Sequence, residues 1–260
     1  MTSLANAELV SQLRTQGVVL VPDVLSRDTA LAMRPLLQRA IDEDLARWQG
    51  HPGYVDHWMV HNLMVRGDAF LQLLENAVLH AYLSELLTDT CIVYAYTSSS
   101  MPPKGSNYSR RIHVDCPRVV PGYVTNVGIT LALDDFTEEN GATELLPNSQ
   151  WRTDAPGEAE FESGAIRFLP KAGQAVIFNA RTWHRGGINR SGKPRHAVTL
   201  NACRSFMKQR FDYPRLVPEV LVSKLGPVGR RFLGFDSRVP ISLEEYYVPE
   251  DQRLYKGGQG

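Results

Sequence analysis

Gln174-Ala-Val-Ile-Phe-Asn-Ala-Arg-Thr-Trp-His184 is an apolar run of strand character that ends in a histidine. Asn189-Arg-Ser-Gly-Lys-Pro194 follows as a dense turn signal, and Arg195–Cys203 returns as the next β-type run. The pattern predicts a hairpin with His184 at the end of a buried strand. Arg195 then starts the return strand beside it, guanidinium inward. Outward from this hairpin the same rhythm holds. Ile92–Tyr96, Arg111–Asp115, Val124–Leu133, Thr143–Leu146, Ala175–Phe178 and His196–Cys203 are short β-type runs separated by Gly, Pro, Asn and Ser. Such spacing suits an antiparallel sandwich or barrel, and a two-sheet jelly roll is the simplest form of it.

The N-terminal third reads differently. Leu9, Val10 and Leu13 recur at helical intervals until Gly17, and Val18–Pro22 is a strand closed by proline. Ser26 is the expected N-cap of a second helix carrying Leu31, Met33, Leu36, Leu37 and Ile41, and a third helical stretch runs from about Ala69 to Leu87. After Ser205 the chain is rich in Arg and Pro, with weak helical signals at Pro218–Leu225 and Gly229–Gly234, and Lys256–Gly260 is expected to fray. The expected fold is mainly β with flanking helices. Residues 1–260 are expected to form a single domain, with a helical N-terminal third, a β core over about 91–205 and a C-terminal extension.

Composition narrows the function. Lys plus Arg and Asp plus Glu both number 28, so no global field attracts nucleic acid or a membrane surface. No stretch approaches the roughly 20 apolar residues of a membrane span, and the N-terminus lacks a signal-peptide pattern. Cys91, Cys116 and Cys203 are too few and too scattered for a disulfide framework. These features point to a cytoplasmic protein with reduced thiols.

His113-Val-Asp115 supplies two potential ligands on one face of a strand, because residues i and i+2 project together. With His184 as a third ligand they form a two-histidine, one-carboxylate set. Such a set caps one face of an octahedral metal and leaves three positions open, the arrangement of non-haem Fe(II) oxygenases. Taken alone, the tripeptide recurs by chance and Arg195 reads equally as a surface residue at a turn exit. Taken together, a buried arginine needs an anion, and its planar fork suits the distal carboxylate of 2-oxoglutarate. Asn126, Gly128 and Thr130 share one face of their strand; Asn126 or Thr130 could bond the co-substrate, or be ordinary polar residues of a barrel interior. Thr97 is a weaker candidate of the same kind. Asp134, Asp135, Glu138 and Glu139 fit an acidic turn better than a catalytic pair. His51, His57 and His61, on a loop broken by Pro52 and Gly53, suit a substrate lid with Trp58 better than a second metal site. His196 points away from Arg195 and reads as structural.

These residues resemble the phytanoyl-CoA dioxygenase family. The resemblance lies in Gly17-Val-Val-Leu-Val-Pro-Asp-Val-Leu-Ser26, in Leu133 to Gln150 with its Glu-Asn-Gly-Ala turn, and in Gly173 to Arg195 with Arg195 eleven positions after His184. It covers roughly residues 8 to 206. It implies a double-stranded β-helix (jelly-roll, cupin-like) core, with His113, Asp115 and His184 as Fe(II) ligands and Arg195 on the 2-oxoglutarate carboxylate. It further implies O2 as second co-substrate, release of succinate and CO2, and oxidation of a C–H bond of a small metabolite, as in secondary metabolism. Halogenating relatives replace the carboxylate ligand by a small residue. Keeping Asp115 favours hydroxylation or a related oxidation such as desaturation, epoxidation or ring closure. Where many relatives carry a glutamine near the co-substrate, this chain has Arg110. With Arg111 and Arg118 it either shapes a pocket for an anionic substrate or is solvated surface charge. Two rivals use the same residues: a cupin-like metal-dependent isomerase or hydrolase, and a non-catalytic jelly-roll binding module.

Overall fold

The computed structural model describes residues 4–253, so the expectation for Lys256–Gly260 lies outside the described residues. In chain order the elements are α1 (Ala7–Gln16), β1 (Val18–Val21), α2 (Arg27–Trp48), α3 (Asp68–Gln72), α4 (Ala77–Leu87), β2 (Ile92–Ser98), β3 (Asn126–Ala132), β4 (Glu144–Leu145), α5 (Glu158–Gly164), β5 (Ile166–Arg167), β6 (Ala175–Asn179), β7 (His184–Arg185), β8 (Ala197–Cys203), α6 (Tyr213–Leu216), α7 (Glu219–Val222), α8 (Pro227–Phe232) and α9 (Leu243–Tyr246). A five-stranded antiparallel sheet has the order β1-β6-β3-β8-β2, and β5-β4-β7 form a small second sheet. This is the jelly roll with flanking helices expected from the strand rhythm.

Local chemistry explains the helix ends. Gly17 closes α1 in the left-handed region at φ 78, and Ser26 caps α2 by accepting from the Thr29 N–H. Pro35 lies inside α2 and cannot donate to the Leu31 carbonyl; the Arg34 Nε donates there instead, at 3.4 Å. The helix expected over Ala69–Leu87 is broken: α3 ends in a 3-10 turn at Leu73–Glu75, and Asn76 caps α4 by accepting from Leu79 N–H. The side-chain amide competes there with continued helix.

The major sheet has two unlike faces. Along β3, Val127, Ile129 and Leu131 point outward, and Asn126, Gly128, Thr130 and Ala132 point inward. The outward residues join Ile177, Leu200, Val19 and Val93 in one large apolar core. That core takes in Leu13 of α1, Leu37 and Ile41 of α2 and Leu83 of α4, together with Tyr213, Val222 and Phe232 of the C-terminal segment. The inward face meets the second sheet through Val18, Val176, Phe178 and Leu145 at one side and is polar elsewhere.

Two expectations fail locally. Arg111–Asp115 is no strand; only His113 forms a β-bridge, with His184. Beyond Val114, the N–H groups of Asp115 and Cys116 both turn to the Ala180 carbonyl, and Pro117 has none to give, so no ladder continues. The hairpin expected between the His184 and Arg195 strands does not form either: β8 pairs with β3 and β2, and His184 does not end β6. That strand stops at Asn179, a turn closed by the Thr182 N–H on the Asn179 carbonyl follows, and His184 opens β7 in the second sheet, opposite Leu145.

Gly128 faces the Phe178 ring so closely that an added Cβ would lie 2.4 Å from it. Gly128→Ala is expected to destabilise the fold by about 1–3 kcal/mol through this overpacking. A urea-unfolding midpoint equal to that of the wild type would show that the ring yields freely.

Candidate active site

The site is built on one pair of backbone hydrogen bonds. The His113 N–H donates to the His184 carbonyl at 3.0 Å, and the His184 N–H donates to the His113 carbonyl at 2.9 Å. Residues paired in this way project to the same side, and the two imidazole centroids lie 4.2 Å apart. Each Nδ1 faces a backbone carbonyl, Arg111 at 2.7 Å for His113 and Thr182 at 2.9 Å for His184. A carbonyl only accepts, so Nδ1 carries the proton and the Nε2 lone pair faces the cluster. Burial, and then the neighbouring His184, lower the His113 pKa, while Asp115 pulls the other way. A neutral imidazole is the form that binds a metal.

Asp115 completes the cluster. Its Oδ1 lies 3.8 Å from His113 Nε2 and 3.9 Å from His184 Nε2. The ligand atoms of all three lie within 4.8 Å of one another, and no other such group occurs among the described residues. The geometry fits one metal ion. The loop carrying Asp115 is tied down by Arg181, whose Nη1 donates to the carbonyls of Cys116 at 3.1 Å and Pro117 at 3.3 Å, while its Nη2 donates to the Arg152 carbonyl. Neither Arg181 nor Asn201, which donates to Asp115 Oδ2 at 3.4 Å, was picked out from the sequence. Alternation along β8 carries the signal for Asn201, which shares a face with Thr199 opposite Thr130.

Arg195 sits just before β8, fixed by reciprocal backbone bonds to Met101 of 2.8 and 3.0 Å. It is 1% exposed. Its guanidinium lies 4.1 Å over the Phe136 ring, and Nη2 donates to the Ser99 carbonyl at 3.0 Å. Nε and Nη1 are buried with no partner. Burial lowers its pKa to about 9, against the upward pull of Asp134, so it stays charged at neutral pH. A buried cation with two idle donors is costly unless an anion fills the gap, and the flat fork presents the geometry of a carboxylate clamp. Asn126 Oδ1 and Thr199 Oγ1 are likewise buried and unpartnered. Thr130 and Thr97 are buried opposite Thr199 from either side.

The remaining sequence candidates lie elsewhere. Arg110, Arg118 and His57 are exposed; His57 Nε2 contacts the Tyr54 carbonyl at 3.1 Å, and its ring lies 5.0 Å from that of Tyr54. Trp58 packs against the large core. Among the described residues no hydrogen bond or ion pair joins any of these four to the triad. The acidic segment is structural: Asp134 pairs with Arg34 at 2.7 Å and His196 at 2.9 Å, and Asp135 pairs with Arg27 at 2.6 Å. His196 bonds Asp134 and Gln38, away from the barrel interior.

Fold, cluster and family match together support the class of Fe(II)/2-oxoglutarate-type oxygenases. Residues 13–197 match the phytanoyl-CoA dioxygenase family, and the chain belongs to it. An uncharacterized protein of Mycobacterium tuberculosis is 33% identical over 258 residues, which is 94% of this chain and 92% of that one. A dioxygenase of Gibberella moniliformis is 29% identical over 134 residues, covering 51% of this chain and 44% of its own. EctD from S. alaskensis, solved with 2-oxoglutarate and 5-hydroxyectoine, matches with a TM-score of 0.63 at 18% identity, over 78% of this chain and 77% of its own. SnoK, an α-ketoglutarate-dependent carbocyclase from nogalamycin biosynthesis, matches at 0.62 and 19% identity, over 87% and 94%. At such identities these structures establish the fold. The family makes the protein an oxidoreductase of the dioxygenase type. Among the described residues no helix is long and apolar enough to cross a membrane.

The ion pairs behind Arg195 have a pH signature. Burial raises the Asp134 pKa, but hydrogen bonds from His196 and Arg34 outweigh it and bring the carboxyl down to about 2, from 3.8. A depressed carboxyl stabilises the fold above its unfolded pKa, and the contribution is lost as pH falls through the folded value. Asp134→Asn is therefore expected to cost about 1–2 kcal/mol at neutral pH. Acid unfolding should show a flatter slope for the variant between pH 3.8 and 2. Parallel acid limbs for variant and wild type would contradict this.

Proposed function

We propose that the protein is an Fe(II)- and 2-oxoglutarate-dependent dioxygenase that hydroxylates a C–H bond of a small metabolite, with release of succinate and CO2. The observation that carries this reading is the pairing of the His113-Asp115-His184 cluster with Arg195, whose Nε and Nη1 have no partner. His113 and His184 would hold the metal through Nε2, and Asp115 through a carboxylate oxygen. The bound metal supplies the redox chemistry that activates O2.

The chain's own residues do the rest. Arg195 takes the distal carboxylate of 2-oxoglutarate, with the Phe136 face and the Ser99 carbonyl holding the guanidinium plane. Of the two candidates on the inward face of β3, Thr130 is the one that hydrogen-bonds the co-substrate; the Asn126 amide donates to Asn201, and its free Oδ1 cannot bond a carboxylate. Phe178, 4.9 Å from the His184 ring, walls one side of the cluster against water. Asp115 is exposed, and this is the open side by which a substrate reaches the cluster. Arg110, Arg111 and Arg118 are near Asp115 in the chain, exposed and without an ion pair among the described residues, which supports an anionic substrate. His57 and Trp58 lie on the loop assigned as its cover. Residues 1–260 act as one catalytic domain, a reading supported by the C-terminal side chains sharing the large core. Buried free thiols at Cys91, Cys116 and Cys203 support a reducing, cytoplasmic setting.

Two substitutions separate the roles. Arg195→Ala is expected to keep the metal and weaken 2-oxoglutarate binding by about 100-fold, the scale of a lost charge-assisted pair. His184→Ala is expected to lose the metal, and succinate formation with it. Metal content is read by elemental analysis, co-substrate affinity by calorimetry and turnover by succinate release with neutral and anionic substrate panels. Full metal content in His184→Ala would overturn the triad; oxygen-independent turnover would point instead to isomerase or hydrolase chemistry.

A further inference from the structure

The two oxygens of Asp115 have different neighbours. Oδ1 faces the two imidazole Nε2 atoms at 3.8 and 3.9 Å. Oδ2 accepts from Asn201 Nδ2 at 3.4 Å, the one hydrogen bond to this carboxylate among the described residues. A carboxylate only accepts, so Asn201 must turn its NH2 toward Asp115 and its carbonyl the other way. That carbonyl oxygen accepts from Asn126 Nδ2 at 3.1 Å. The chain of donors therefore has one polarity, running from Asn126 through Asn201 to Asp115. Both amides are almost fully buried, at 3% and 7% exposure; the acceptor-only carboxylate sets the orientation of Asn201, and the Asn201 carbonyl sets that of Asn126, whose own Oδ1 is left without a partner. The strands make the contact possible. In the register of β3 with β8, Asn201 stands opposite Gly128, one inward position from Asn126, and no side chain at Gly128 intervenes.

We propose that Asn201, oriented by Asn126, is a positioning residue that keeps Asp115 a one-oxygen ligand. This rests on the reading of the triad as the metal site. With Oδ2 held by the amide, the protein would offer a metal three donor atoms and leave the remaining positions for the co-substrate. Were Asp115 free to rotate and bind through both oxygens, one position would be lost and the co-substrate would compete with the protein's own carboxylate. Asn201 thus acts on co-substrate affinity without touching the co-substrate.

The test uses Co(II) as probe on the full chain, with Asn201→Leu, Asn126→Leu, the double variant and His184→Ala, each checked for folding by thermal unfolding. Asn201→Leu is expected to weaken Co(II) binding roughly 10–100-fold, as loss of an outer hydrogen-bond partner does. It is also expected to change the Co(II) visible spectrum and, at saturating Co(II), to weaken 2-oxoglutarate binding. Asn126→Leu should move the same three readouts in the same direction by less, and the double variant should be no worse than Asn201→Leu, because the two act as one unit. A folded Asn201→Leu with wild-type Co(II) affinity, spectrum and 2-oxoglutarate affinity overturns the proposal. Should Asn201→Leu fail to fold, wild-type behaviour of Asn126→Leu overturns it. Wild-type Co(II) binding by His184→Ala would instead remove the triad reading on which it rests.

Discussion

The reciprocal backbone bonds between His113 and His184 are the constraint on which the rest of the site depends. They join a long loop to the small sheet at one point and set two imidazoles side by side, 4.2 Å apart. Everything else at the cluster is arranged around that point. The Arg111 and Thr182 carbonyls select the same tautomer on both rings. The Ala180 carbonyl receives both Asp115 and Cys116 N–H groups and turns the loop so that the carboxylate faces the rings. Arg181 then holds the far end of that turn through two carbonyls. A single bridge has little strength by itself; backbone bonds contribute about 1 kcal/mol each. Its precision comes from the strands and side chains that leave it no alternative.

The division of the major sheet explains how such a site is tolerated. Unpartnered donors on Arg195 and unpartnered acceptors on Asn126 and Thr199 oppose folding. The opposite face of the same strands offsets them. Val127, Ile129 and Leu131 bury completely against helices and the C-terminal segment. At roughly 1.5–3 kcal/mol for each buried large aliphatic side chain, that outer core carries the stability. The inner face is thereby released for chemistry. Strand alternation is what lets one element serve both ends, since each residue commits to one face only.

Much of this was legible in the sequence, and the gaps have identifiable causes. The β rhythm after Cys91 named the jelly roll, because turn residues and β-branched runs carry strand boundaries locally. Ser26 and Gly17 marked helix ends through their own cap geometry. His113 and Asp115 do reach the same centre, although the strand invoked to bring them together does not form; a turn held by Ala180 does that work. His184 was expected in line with β6, but the chain changes sheets within five residues, a switch that no local propensity encodes. Alternation marks Asn201 only as an inward-facing amide; its role depends on its neighbour across the sheet, which no local pattern names. The Asn76 cap is hidden inside a continuous helical pattern for the same kind of reason: the amide's preference competes with apolar spacing, and the wider packing decides.

The sequence by itself determined the donor set, the strand alternation and the charge on Arg195, because residue identity fixes ligand chemistry and two-residue periodicity fixes which side chains share a face. It also carried the family, through the motifs at Gly17 to Ser26, Leu133 to Gln150 and Gly173 to Arg195. Only the tertiary structure decided how those donors meet. The His113–His184 bridge, the turn onto Ala180 and the amide chain from Asn126 to Asp115 all join residues far apart in the chain. Their register depends on how two sheets close on each other, a property of the packed whole that no stretch of sequence holds alone.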